Sequence, residues 1–341
     1  MGLENLLANS SFLLCFINMI SSWVSLIFKL NWTFSISVTS HLVLTLSILC
    51  RWISSNHFPL SNLHESLIFL AWIFSLLCVS PIVPSETTPE LPPTNRGALA
   101  RVFDMRALNS NVAKNPVGIL AKTPKGFLAF VSSPRPATQG PELGGPVLVS
   151  STRAPEGKVA PRAFNPRSVL VVIFSPIVVL LVGFGEFLLP SAMTKPMPLV
   201  PALQSNWLLM HVSTMLMSYG ALISGCLLAF AYLLSNTQAL QTFFDQLSYR
   251  MLALGFPLLT LGILSGSIWA NASWGSFWSW DPKETWALAN WIIFAIYLHS
   301  RFVKGWQGSK PAIIACFGFF TLLICFLGVN VLGKGLHNYS F

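Results

Sequence analysis

Residues 251–303 read MLALGFPLLTLGILSGSIWA, then NASWGSFWSWDPKE, then TWALANWIIFAIYLHSRFV. Two apolar runs, 251–270 and 285–303, flank a short stretch dense in tryptophan. A helix needs about 20 mostly apolar residues to cross the hydrocarbon core of a bilayer, and both runs meet that length. Six further runs do the same, over roughly 10–29, 34–53, 64–83, 168–189, 207–234 and 311–333. The composition agrees. Of the 341 residues 53% are hydrophobic and 9% charged, whereas soluble domains carry roughly 25% charged residues. The reading is an all-α integral membrane protein of about eight transmembrane helices, with a Trp-rich loop between helices six and seven.

Three regions follow. Residues 1–84 hold helices one to three, and residues 168–341 hold helices four to eight. Between them, 85–167 is basic, rich in Pro and Gly, and without a sustained helical or strand period, so it reads as a disordered insertion. A basic loop can bind nucleic acid, but this one lacks interleaved aromatics, having only Phe103, Phe127, Phe130 and Phe164. Membrane lipid is the expected environment and nucleic acid is not an expected partner. No basic leader precedes the first run, and Glu4 stands where a signal peptide is positive. That fits insertion in the compartment of synthesis.

Eight spans place alternate loops on two faces. One face holds Lys29, eleven basic residues of 85–167, Arg250, Arg301, Lys304 and Lys310; the other holds Arg51, Lys195, Lys283 and Lys334. Basic residues concentrate on the side of synthesis, which puts both termini and the Trp-rich loop on the trans side, lumen or periplasm. Most of the asymmetry comes from the long loop; without it the split is five to four. The six cysteines, Cys15, Cys50, Cys78, Cys226, Cys316 and Cys325, lie in apolar segments and form no C-x-x-C pair, so thiol redox chemistry is not indicated.

Half of the twelve tryptophans fall between 269 and 291. An interfacial aromatic belt accounts for one or two per helix end. It does not account for Trp274, Trp278 and Trp280 in seven residues together with Phe277. Such a cluster offers an apolar platform on which a planar macrocycle can stack, and Gly275 keeps the backbone close. Asp281, Pro282 and Glu284 fit the N-cap, first and third positions of a helix, so capping, rather than catalysis, is the reading for both carboxylates.

There are six histidines. Imidazole is a common ligand of haem iron. His211, at the start of the fifth span, and His337, after the eighth, share the trans face with the Trp-rich loop and suit axial ligation of one haem. His299 lies 15 residues beyond Glu284, about 22 Å deeper along the helix, so it cannot serve the same iron; it is either an interfacial histidine beside Arg301 or a ligand elsewhere. His41 and His57 carry weaker claims as ligands. Asn62 and Glu65 read as the cap and third position of the third span, which His64 begins.

The run Trp274-Gly275-Ser276-Phe277-Trp278-Ser279-Trp280-Asp281-Pro282-Lys283-Glu284 resembles the WWD signature of haem-handling proteins. With Gly262–Gly266, Tyr297-Leu298-His299, Gly328–His337 and His57–Asn62, the chain resembles the plastid CcsA family of system II cytochrome c biogenesis over about 1–84 and 168–341. The resemblance implies transiently bound b-type haem, ligated on the trans side by His211 and His337, with His299 an intramembrane ligand. Trp274, Gly275, Trp278, Trp280 and Asp281 would contact the haem. It also implies a CcsB-type membrane partner and apocytochromes c, such as cytochrome f and a soluble lumenal cytochrome c, as acceptors. The location implied is the chloroplast thylakoid membrane, and the activity that of a cytochrome c synthetase subunit. At His64 the resemblance implies Tyr, which a C-to-U edit of a His codon specifies. The rival reading is a b-type electron-transfer protein, which needs histidines facing one another on the spans.

Overall fold

The structure, a computed structural model, describes residues 3–28, 32–80, 166–190, 194 and 204–329. These form eight helices: α1 Leu3–Phe28, α2 Thr33–Ser55, α3 Leu63–Val79, α4 Pro166–Gly183, α5 Asn206–Leu234, α6 Gln238–Trp274, α7 Pro282–Phe302 and α8 Ser309–Leu323. A π-helical turn extends α4 over Phe184–Leu188 and α8 over Ile324–Gly328. No strand occurs among the described residues. His337, Lys334, the WWD-type flank beyond Val329 and residues 85–165 lie outside them.

Each apolar run of the sequence falls on one helix. Six helices are long and apolar enough to cross a membrane. The other two depart for local reasons. Helix α3 has 17 residues rather than the 20 of the run 64–83, because Pro81 forces Ser80 into an extended conformation (ψ 136°). Helix α7 has 21 residues, but it spends its length on Lys283, Glu284, Asn290, His299 and Arg301, which lowers its mean hydropathy. Helix α6 exceeds expectation. It begins at Gln238 rather than 251 and reaches 37 residues, about 55 Å at 1.5 Å per residue. Its first turns are polar, so an apolar window misses them, yet nothing in Gln238–Arg250 breaks a helix.

Helices α5 and α6 pack closely along their length because small residues line the seam. A Cβ on Gly225 would lie 2.6 Å from the Leu252 side chain, and one on Gly255 2.7 Å from that of Leu222. Hydroxyls stitch the same seam: Ser218 donates to the Gly255 carbonyl at 2.8 Å and Ser248 to the Gly225 carbonyl at 2.7 Å. In lipid, where the hydrophobic effect does not drive helices together, close packing and such bonds do so instead. On one side α3 and α4 pack through Phe74 and Phe174 against Leu228, Leu247 and Met251; on the other, α7 and α8 pack through Phe294 and Leu322 against Leu222 and Leu259.

Charged groups gather at the two ends of the bundle. At one end Arg301 of α7 bonds Asp245 of α6 at 2.9 and 3.0 Å and lies over the Tyr249 ring. At the other, buried Arg51 of α2 pairs with Glu4 of α1 and with Glu65 of α3, and donates to the Thr194 carbonyl at 2.7 Å.

Candidate functional site

The Arg51 end holds a cavity of about 720 Å³. Its walls come from the α2–α3 connection, the first half of α5, the last turns of α6, the α6–α7 loop, the first turns of α7 and the π turn after α8. Segments far apart in sequence thus meet at one end of the bundle, as up-and-down alternation of eight helices requires. The lining is mainly apolar, from Leu208, Val212, Met215, Leu216, Trp269 and Phe326, with a few polar groups set among it. That mix is typical of small-molecule sites.

His211 stands in the wall. Its Nδ1 lies 2.7 Å from the Gly262 carbonyl oxygen of α6. A carbonyl only accepts, so Nδ1 carries the proton and the basic lone pair is on Nε2. Histidines that ligate metals are held in this way, by a bond from the other ring nitrogen. The helices come close enough because position 266 is glycine: a Cβ there would sit 2.5 Å from Nδ1 of His211.

The α6–α7 connection is short. Helix α6 runs through Trp274, and Gly275 ends it in the left-handed region (φ 80°), its N–H bonding the Asn271 carbonyl. Asp281 caps α7 by accepting from the Lys283 N–H at 3.1 Å, and Glu284 reaches back to the Asp281 N–H at 3.2 Å, which completes the capping box. Glu284 also takes the Ser279 N–H at 2.8 Å. One carboxylate thus pins the loop on both sides of Trp280, the residue with φ 58° and 70% exposure. A positive φ is uncommon for a bulky residue, and here it holds the indole outward.

The tryptophans do not make one flat surface. Trp269 and Trp274 meet edge to face at 70°, and Trp278 and Trp280 at 86°, an arrangement that aromatic quadrupoles prefer to a sandwich. Trp269, Phe277 and Trp278 line the cavity; Trp274, Gly275, Trp280 and Asp281, on the same connection, are not part of its lining.

His57 also lines the cavity, so the structure brings it together with His211, a pairing that sequence spacing does not reveal. Its Nδ1 is 3.2 Å from the Phe58 carbonyl oxygen. Buried Glu65 holds this wall: it accepts from the Ser61 N–H at 2.8 Å, the Ser61 hydroxyl at 2.7 Å and Arg51 at 3.1 Å. Asn62 caps α3 by accepting from the Glu65 N–H at 2.9 Å. Other residues that sequence reading passed over are Lys283, Tyr219 and Cys325. All three line the cavity, and the Tyr219 hydroxyl is 3.4 Å from the Cys325 sulfur.

The remaining histidines lie elsewhere. His299 is exposed in the last turn of α7, at the Arg301 end. His41 bonds Ser75 at 2.7 Å and stacks on Trp72. His64 is buried, with Nε2 3.3 Å from Glu186 of the first π turn and no hydrogen-bond partner for Nδ1 among the described residues. His337 is outside the described residues. Among the described residues no three of His, Cys, Asp and Glu gather as a bare metal site; iron in a macrocycle needs only one or two protein ligands.

The chain matches the family model described as cytochrome C assembly protein over residues 159–337. It is 36% identical to the cytochrome c biogenesis protein CcsA of Chlorella vulgaris, across 99% of this chain and 97% of that protein. It is 40% identical to CcsA of Chlamydomonas reinhardtii, across 89% of this chain and 66% of that protein. With CcsA of Synechocystis the identity is 33%, across 100% and 98%.

Proposed function

The chain belongs to the cytochrome c assembly protein family and, on that premise, we propose that its cavity binds haem on the way to c-type cytochromes. The observation that carries the reading is the His211 imidazole, held by the Gly262 carbonyl with its lone pair on Nε2, within an aromatic and aliphatic cavity. An apolar cavity of this size admits a planar macrocycle, and a neutral imidazole in its wall supplies an axial ligand. His337 is the second axial ligand in this proposal, and Trp274, Gly275, Trp278, Trp280 and Asp281 form the surrounding surface. His299, at the far end of the bundle, serves a separate site completed by a CcsB-type partner.

In this reading all eight helices cross the membrane. The short α3 and the polar α7 are supported by neighbours rather than by lipid alone, and the cavity opens to the thylakoid lumen. Regions 1–84 and 168–341 build the haem-handling unit, and 85–167 is an insertion that faces the stroma. The acceptor is an apocytochrome c carrying C-x-x-C-H. Each cysteine S–H adds across a haem vinyl group: a C–S bond forms, the vinyl double bond is lost, and the thiol proton ends on carbon. The chain contributes position. Holding the reactants together lowers a barrier without any acid–base group.

The test is the absorption spectrum of the purified full chain, alone and with its partner. A Soret band that His211→Gly removes is the expected result. A wild-type protein that takes up no haem in either state sinks the proposal. A stable haem that is never delivered to a co-expressed apocytochrome points instead to electron transfer.

A further inference from the structure

Lys283 is in an odd place for a lysine. It sits in the first turn of α7, one residue after Pro282, where the helix dipole disfavours a cation. It is half-buried and lines the cavity. Among the described residues no carboxylate lies within ion-pairing distance of its ammonium; the ion pairs there belong to Arg51, His64 and Arg301. The two nearest acids in sequence are engaged elsewhere. Glu284 is taken by Ser279 and the Asp281 N–H, and Asp281 accepts from the Lys283 backbone N–H while its charge acts on the Lys283 ammonium only from beyond ion-pairing distance. Removing an ammonium from water without a contact partner is costly, and the Asp281 charge offsets that only from a distance, so this position has room for a further anion in direct contact with the ammonium. Neutral polar groups stand beside it. The Cys325 sulfur is 3.9 Å from the Lys283 carbonyl, and it bonds the Tyr219 hydroxyl on the same wall.

We propose that Lys283 binds a carboxylate side chain of the haem held in this cavity. The inference rests on the haem reading given above and adds the orientation of the ligand. Haem carries its two propionates on one edge and its vinyl groups away from them. Fixing a propionate at the first turn of α7, with the Tyr219 hydroxyl beside it, turns the vinyl edge away from α7. Those are the atoms that an incoming apocytochrome must reach. A lysine suits the task as a compact point charge on a flexible stem. A lysine at this depth can also reach toward lipid headgroups, and the two roles respond differently to the charge of the macrocycle.

The experiment titrates the purified full chain with haem and, separately, with haem dimethyl ester, which keeps the ring and iron but lacks both carboxylates. Wild type is expected to bind haem about 10- to 100-fold more tightly than the ester, the range for a hydrogen bond to a charged group. Lys283→Gln should remove that preference while leaving ester affinity unchanged, and Lys283→Arg should restore most of it. Unchanged ester binding also shows that the Gln variant is folded. An equal loss of both ligands on Lys283→Gln overturns the proposal, because it makes Lys283 a general support of the cavity. Equal affinity of wild type for the two ligands overturns it while leaving the haem reading intact. Binding of neither ligand by wild type overturns both.

Discussion

A Cβ placed on Gly266 would lie 2.5 Å from Nδ1 of His211. The space that this glycine leaves empty is the space that the imidazole fills. Alanine at 266 should therefore push His211 off the Gly262 carbonyl. In a helix interior, Gly→Ala by itself favours helix by about 1 kcal/mol, so Gly266→Ala should fold as well as wild type and yet lose its haem. Soret absorbance per mole of folded protein, read beside the thermal midpoint, separates the two effects. Full haem occupancy in Gly266→Ala would show that the imidazole tolerates displacement.

His211→Gly and His337→Gly should each abolish cytochrome c assembly, and free imidazole should restore part of it by entering the vacated axial position. Assembly at wild-type level in His337→Gly would remove that residue from the ligand set and leave His57, on the same cavity wall as His211, as the next imidazole to test.

Glu65→Ala leaves one side of the Arg51 guanidinium without its buried partner and frees both Ser61 donors. Breaking a buried ion pair from one side costs about 3–5 kcal/mol, and the Glu4 and Thr194 contacts that remain should hold the loss near the low end. Thermal unfolding in detergent should show it, with Glu65→Gln losing less. A midpoint within a degree of wild type for Glu65→Ala would mean that Arg51 relaxes into water.

Glu284→Ala removes the acceptor of the Ser279 and Asp281 N–H groups. Loss of a helix cap costs about 1 kcal/mol, so the fold should survive while these two amides exchange with solvent much faster. Amide exchange resolved at the two positions is the measurement; unaltered protection would show that the loop is held by other contacts.

His299→Ala should leave the geometry of the cavity untouched, since some 15 residues of α7 separate it from Glu284. If His299 receives haem at the far end, total haem per complex with the partner should fall, including that in the cavity. Haem content equal to wild type, at equal protein level, would make His299 a surface histidine beside Arg301.

Six helices were legible because a membrane span needs a long apolar run, and the ends were legible where a cap announces itself, as at Asp281 and Asn62. Periodicity could not reveal the polar first turns of α6, whose helicity comes from having no breaker and from Asp245 meeting Arg301. The candidate site was legible in part. Tryptophan density and His211 pointed to the end of the bundle where the cavity lies, but the perpendicular indole pairs follow from ring electrostatics that composition does not carry. His57 and Lys283 looked ordinary because a residue's place on a cavity wall depends on which helices meet there. Gly266 had a signal that could have been weighed: it is one of three small residues in Gly262–Gly266, spaced along the face of α6 that meets α5.

The packing of α4 bears on how the chain can be made. Its apolar face is held by α1 and α3, with Phe174 on Phe74 and the Ser175 hydroxyl 3.3 Å from that of Ser22, and Arg51 ties the same group of helices to Thr194. These contacts are non-covalent and join helices that lie on either side of residues 81–165 in sequence. A gene split within that stretch, giving two polypeptides translated separately into one membrane, should produce the same bundle.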